Sequence, residues 1–317
     1  MKQKVFLLLV VLFSIHLGFR IFEYRQEYLT PYDPDFWKER YEYSQWSTKP
    51  ACENLDPHVN PFTCVWDDHW YAKSEEGKKG NDFKKQSIGD DSLYTYAGWE
   101  YIHGHDPTLL NAEVPPFGKY LIGLSEVVFK NQNIFALLSG LFALGALYLF
   151  SMQIFKDRVL SFLPVLFFSF EPLFYTQLRA PFLDLFFLGL LLLAMTFLIK
   201  KQLIRSSVML GLAAATKSAA STFPLVIALS VFYLILTKQY KLFKKYTISL
   251  PIAGVVFTVT YIQFFILGNS FTEFLGVQKW IINFYSSGAQ GSFMAPWEIL
   301  FTGKWHTWWG ELSLIHI

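Results

Sequence analysis

The chain has 317 residues, of which 53% are hydrophobic, 19% aromatic and only 16% charged, against roughly 25% charged residues in soluble domains. Its net charge of +2 is too small to argue for nucleic acid, and no basic cluster is interleaved with aromatics in a soluble segment. Apolar runs of about 20 residues match a bilayer core of roughly 30 Å, so the composition predicts an all-α polytopic membrane protein.

The N-terminal "MKQKVFLLLVVLFSIHLGF" has a basic head and an apolar run. No small-residue cleavage site follows, so it reads as a retained signal anchor spanning 5–22. Further spans are expected at 133–155, 159–176 and 181–199. Residues 206–236 make a short span and a full one, joined near "TKSAASTFP", and the last span covers 246–267. With about seven spans, all four cationic clusters fall on one side. These are Lys2 with Lys4, Lys156 with Arg158, Lys200 and Lys201 with Arg205, and "KQYKLFKK". The positive-inside rule makes that side cytoplasmic, in a plasma-membrane protein with a cytoplasmic N-terminus. The expected organisation is a first span (1–22), an extracytoplasmic loop (23–132), a transmembrane bundle (133–267) and an extracytoplasmic segment (268–317). The closing "LSLIHI" reads as non-native sequence, so the last segment is expected to be truncated.

The first loop holds both cysteines, Cys52 and Cys64, which suit a disulfide in an oxidising compartment. "SEEGKKGNDFKKQ" reads as a mobile polar excursion. "DDSLYTYAGWEYI" reads as a helix opened by a cap at Asp90 and Asp91. In "HGHDP", His103 and His105 lie in metal-ligand spacing, with a turn as the simpler reading. "PPFGKYLIGLSEVVFK" has an apolar face interrupted by Lys119, Ser125 and Glu126, and is expected to be an interfacial amphipathic helix. The tail "APWEILFTGKWHTWWG" carries four tryptophans suited to interfacial anchoring or sugar stacking.

Charges near the membrane are the sharpest functional signal, because burying them in lipid is costly. Glu171, Arg179 and Asp184 lie in "SFEPLFYTQLRAPFLD", and Lys217 in "GLAAATKSAAS". One reading pairs Arg179 with Asp184 structurally. The other has Arg179 and Lys217 converge on an anionic group, an Arg fork and a Lys point charge both suiting phosphate.

The order of these motifs resembles the phospholipid-carrier-dependent glycosyltransferases of the GT-C class. The protein O-mannosyltransferase group is the nearest likeness, and aminoarabinose-transferring lipid A enzymes share the N-terminal module. Asp90 and Asp91 match the family's acidic pair, and "EVPPFGK" its His-Pro-Pro motif, with Val114 in the histidine's place. Gln177, Arg179, Leu183 and Asp184 match its Gln-x-Arg followed by Leu-Asp. "TKSAAS" keeps Lys217 of its Thr-Lys-Trp-Ser but lacks the tryptophan. The likeness covers roughly residues 85–237.

The resemblance implies a GT-C-type bundle whose large first loop carries interfacial helices. It implies transfer of a sugar, mannose first, from a polyprenyl- or dolichyl-phosphate donor to an acceptor hydroxyl, on protein Ser/Thr or on a lipid. Asp90 is the expected base, and Asp91 orients it, binds sugar or only caps the helix. Glu113 is expected to bind sugar or acceptor, and Lys119 to reach a lipid phosphate or to snorkel. Arg179, Asp184 and Lys217 are expected around the leaving phosphate. No metal or other cofactor is required. A transporter for a lipid-linked anion is the rival reading, although no internal repeat is present.

Overall fold

A computed structural model describes residues 2–42, 44, 88–217 and 219–287. Among these the chain is helical, with no strand. Cys52, Cys64, the "SEEGKKGNDFKKQ" excursion and the tryptophan-rich tail lie outside the described residues.

The chain divides into two units, Met1–Ser270 and Phe271–Ile317. In the first, α1 (Lys2–Glu23) is followed by short helices α2 (Arg25–Leu29) and α3 (Pro34–Glu42). Helices α4 (Asp90–Ile102) and α5 (Phe117–Phe129) precede the long α6 (Asn133–Phe155). Then come α7 (Arg158–Ser169), α8 (Pro172–Leu178), α9 (Asp184–Ile199) and α10 (Leu203–Thr216). The first unit closes with α11 (Ala219–Leu236), α12 (Tyr240–Val259) and α13 (Ile262–Ile266). The second unit contains α14 (Phe271–Ser287).

Among the described residues the architecture is all-α and that of a membrane protein. Three helices, Lys2–Glu23, Asn133–Phe155 and Tyr240–Val259, are long and apolar enough to cross a bilayer. A fourth is added if α7 and α8, bent by 71°, count as one broken span. Asp184–Ile199, Leu203–Thr216 and Thr222–Leu236 are apolar but shorter. Leu8, Leu12, Ile15 and Phe19 of α1 are exposed, which suits lipid as the surrounding solvent and not water.

Three expected boundaries shift. The span expected at 159–176 breaks at Glu171/Pro172. Proline supplies no N–H and disfavours helical backbone in the residue before it. Glu171 is accordingly extended (φ −70°, ψ 124°), and its carboxylate caps α8 by accepting from Leu173 N at 3.3 Å. The singled-out Glu171 is therefore a helix cap. The span expected from 181 begins at Asp184. The last span begins earlier, at Tyr240, so Lys241, Lys244 and Lys245 ride on α12 itself, and it ends at Val259.

Hydrogen bonds fix the helix directions. Lys2 pairs with Asp157 at 2.8 Å, while His16 lies 3.2 Å from the Ser169 carbonyl, so α1 and α7 run parallel. Asp157 also caps α7, accepting from Val159 N and Leu160 N. At the end of α2, the Asn131 amide donates to the carbonyls of Glu27 and Thr30 at 2.9 and 2.6 Å. The Asn133 amide adds a third bond, to Glu27 O at 2.9 Å. These bonds satisfy carbonyls that the end of a helix leaves bare, and they set the start of α6 beside the end of α2.

Small residues let the later helices approach closely. A Cβ on Gly189 would lie 2.5 Å from the Phe142 ring, and one on Gly211 2.5 Å from the Ala253 carbonyl. Ser207 donates to Ser249 at 2.9 Å across α10 and α12.

Candidate functional site

The acidic pair opens α4. Gly89 is the extended N-cap (φ −80°, ψ 172°), and Asp90 and Asp91 occupy the first turn. Negative charge is favourable there, against the positive end of the helix dipole. Asp90 is exposed, and its Oδ2 accepts from the Tyr94 hydroxyl at 3.0 Å. Asp91 is half-buried and folds back over Gly89, where a Cβ would lie 2.7 Å from its Oδ1.

Helix α5 packs on α4 almost backbone to backbone. A Cβ on Gly98 would meet the Lys119 carbonyl at 2.7 Å and Gly123 N at 2.8 Å. The face of α5 turned inward carries its polar residues together with Ile122. Lys119, Ser125 and Glu126 are buried, while Leu124, Val127, Val128 and Phe129 are exposed. The helix is amphipathic as expected, with its apolar side outward.

Lys119 therefore neither snorkels nor meets a lipid phosphate in this structure. Its side chain is fully buried. The ammonium donates to Asn111 O (2.7 Å), Asn111 Oδ1 (3.1 Å) and Val114 O (2.7 Å), and sits 5.0 Å from the Tyr101 ring centroid. Burial lowers its pKa to about 7, opposed by the negative charges of Glu113 and Asp90. Glu113 is buried beside it. Asn111 takes a left-handed backbone (φ 51°), which its short polar side chain tolerates. Lys119 thus pins residues 111–114 against α5.

Leu183 packs in one core cluster with Tyr94, Val114, Ile122 and Phe135. A Cβ on Gly118 would strike Leu183 at 2.6 Å and Thr216 at 3.1 Å. The first turn of α5 is thereby flanked by Leu183 and Thr216. The next residue after each, Asp184 and Lys217, forms an ion pair. Asp184 lies in the first turn of α9 and Lys217 at the C-cap of α10, and each charge complements its helix dipole. The pair is partly open, at 39% and 37% side-chain exposure.

Asp90 and Glu113 are thus electrostatic neighbours of Lys119, the Asp184–Lys217 pair follows the two residues that flank Gly118 of α5, and Asp91 stays at the start of α4. No bridge joins Arg179 to Asp184 among the described residues, and the Asp184 carboxylate pairs with Lys217 instead. The bend after α7 carries Arg179 to a cavity of about 270 Å³ shared with Arg20, Tyr24 and Tyr175. Asp184 borders a different one, of about 300 Å³, with Glu171 and Gln177.

An apolar groove of about 500 Å³ starts at the same turn of α5. Phe117, Tyr120, Leu212, Val256, Val259 and Gln263 line it. The groove, Tyr94 and Asn111 were not singled out from sequence. Tyr94 is the one with a signal, lying four residues after Asp90 on a helix.

The "HGHDP" segment is the end of α4. His103 is its C-cap and Gly104 has φ +98°, a conformation glycine adopts without strain. His103 Nδ1 lies 2.7 Å from Trp99 O, and His105 contacts Glu100 instead. Among the described residues no group of three or more His, Cys, Asp or Glu side chains is placed to hold a metal.

Compared with protein-family models, with curated proteins and with solved structures, the chain finds no match.

Proposed function

We propose that the protein is a GT-C-type glycosyltransferase with about seven spans. It moves a sugar, mannose first, from a polyprenyl-phosphate donor to an acceptor hydroxyl on protein Ser/Thr. The observation that carries this reading is the Asp184–Lys217 ion pair beside the first turn of α5, the turn at which an apolar groove begins, with Asp90 and Glu113 both acting on the buried Lys119 of the same helix. These residues come from four separated segments, so chain proximity does not explain the cluster.

In this reading Asp90 is the general base. It is the exposed carboxylate of the cluster, and the bond from Tyr94 holds it. A hydroxyl is a weak nucleophile at neutral pH, so its proton passes to the carboxylate as its oxygen attacks the anomeric carbon. The bond from that carbon to the phosphate oxygen breaks, the phosphate leaves as an anion, and the anomeric configuration inverts. Lys217 supplies positive charge to the leaving phosphate, and Asp184 holds its ammonium in position. Lys119 is a positioning residue that fixes the segment bearing Glu113. The apolar groove accommodates the donor's prenyl chain.

The test is transfer itself. Full-length protein in liposomes is offered a panel of polyprenyl-phosphate sugars and a mixture of peptide and lipid acceptors. Mass analysis of the products then identifies sugar, acceptor and anomeric configuration. An inverted glycoside on a hydroxyl is the expected product. Vectorial movement of the donor without any product would instead favour the transporter reading.

A further inference from the structure

The cavity holding Arg179 is unexplained by the site around α5 and shares none of that site's charged residues. Arg20, Tyr24, Phe170, Tyr175, Thr176 and Arg179 line it, so it presents two guanidinium groups and no carboxylate of its own. Arg20 is held in place from two sides: it donates to Glu23 at 2.8 Å and lies 4.6 Å over the Tyr175 ring. Glu23 offsets that one charge. Arg179 is exposed, with no hydrogen bond or ion pair among the described residues. It therefore gives the cavity a net positive charge and an open planar fork.

The surroundings are apolar. Phe19 and Phe22 of α1, and Phe170 and Leu173 at the α7/α8 break, are all exposed. Phe170 lines the cavity itself, Phe19 and Phe22 lie within two residues of Arg20 in the chain, and Leu173 borders the neighbouring cavity. A positively charged notch bordered by exposed apolar side chains, at a helix end of a membrane protein, matches a lipid in both of its parts. A phosphate accepts two parallel bonds from an arginine, and the aromatic and leucine side chains offer a surface for acyl chains.

We propose that this cavity binds the phosphate head group of a membrane phospholipid, at a site separate from the one around Asp90. The lipid would tie the end of α1 to the bend between α7 and α8, adding to the contacts of His16 with Ser169, Phe170 and Tyr175 and of Arg20 with Tyr175.

The test uses purified full-length protein in detergent. Native mass spectrometry measures retention of phosphatidylglycerol by wild type, Arg179→Gln, Arg20→Gln and Arg25→Gln. Arg25 is the control: it bonds the Phe22 carbonyl at 3.0 Å and does not line the cavity. Loss of one charge-assisted contact predicts about tenfold weaker binding in Arg179→Gln and Arg20→Gln, with Arg25→Gln unchanged. Arg179 has no protein partner to lose, so its variant remains informative if Arg20→Gln folds poorly. Equal retention by wild type and Arg179→Gln overturns the proposal. Inorganic phosphate displacing the lipid at low concentration overturns the lipid assignment in favour of a free-phosphate site. Polyprenyl phosphate competing for the same site overturns its separateness and makes it part of the donor site.

Discussion

Asp184 and Lys217 stand 33 residues apart in the chain and form an ion pair beside the first turn of α5. A pair this exposed contributes little to stability, at most about 1 kcal/mol. Its cost in function is expected to be much larger. Lys217→Met is predicted to lower transfer by about a hundredfold or more, while the melting temperature moves by only a few degrees. Parallel melting and transfer assays check this. Equal, small effects on both would make the pair merely structural.

Gly98 and Gly123 set the distance between α4 and α5, and so between Asp90 and Lys119. A Cβ on Gly98 has backbone atoms of the partner helix within 2.7–2.8 Å, and backbone cannot rotate away as a side chain can. Gly98→Val is predicted to destabilise the protein by about 1–3 kcal/mol through overpacking. A denaturation midpoint equal to that of wild type would show that the two helices are not held at this distance.

Glu126 gives a pH signature. It is fully buried, and neither carboxylate oxygen has a hydrogen-bond partner among the described residues. Burial raises its pKa well above the ordinary 4.5. Below pH 4.5 the group is protonated both folded and unfolded and carries no penalty. Above it the unfolded chain gives up a proton that folding must take back, so stability falls as pH rises. Glu126→Gln should remove this slope. The predicted result is a gain in melting temperature over wild type at pH 8 that vanishes near pH 4. A constant difference across that range would contradict it.

Lys119 works in the opposite direction. Its folded pKa is lowered from 10.5 to about 7. Between those values the unfolded chain holds a proton that the folded chain does not, so Lys119 adds stability as pH rises and loses it as pH falls toward 7. Lys119→Met should abolish that slope. It also strips the donor from the carbonyls of Asn111 and Val114, at a cost of about 1–3 kcal/mol per buried acceptor. Residues 111–114 should then be cut by protease faster than in wild type.

Much of this was legible from sequence where one local rule acts alone. The start of α4 at Asp90, the span 133–155 and the interruption near Lys217 follow from capping, hydropathy and small-residue composition. The break at Glu171/Pro172 was not, because a hydropathy window averages over a single proline. The orientation of α5 was not legible either. Periodicity shows that a helix has two faces, but it does not say which one a neighbouring helix covers. The cavity that Arg179 shares with Arg20 was not legible for a related reason: the 71° bend between α7 and α8 lies within what hydropathy reads as one span. Side of the membrane is a one-dimensional property and does not specify neighbours.

Asp90→Asn is the most direct test of the proposed chemistry. The substitution keeps an acceptor for Tyr94 and the shape of the helix start, but removes the base. Full-length wild type and Asp90→Asn would be compared for transfer from polyprenyl-phosphate sugars and, separately, for donor binding. Loss of transfer with donor binding intact is the predicted result. Transfer at the wild-type rate in Asp90→Asn would contradict it and remove Asp90 from the reaction.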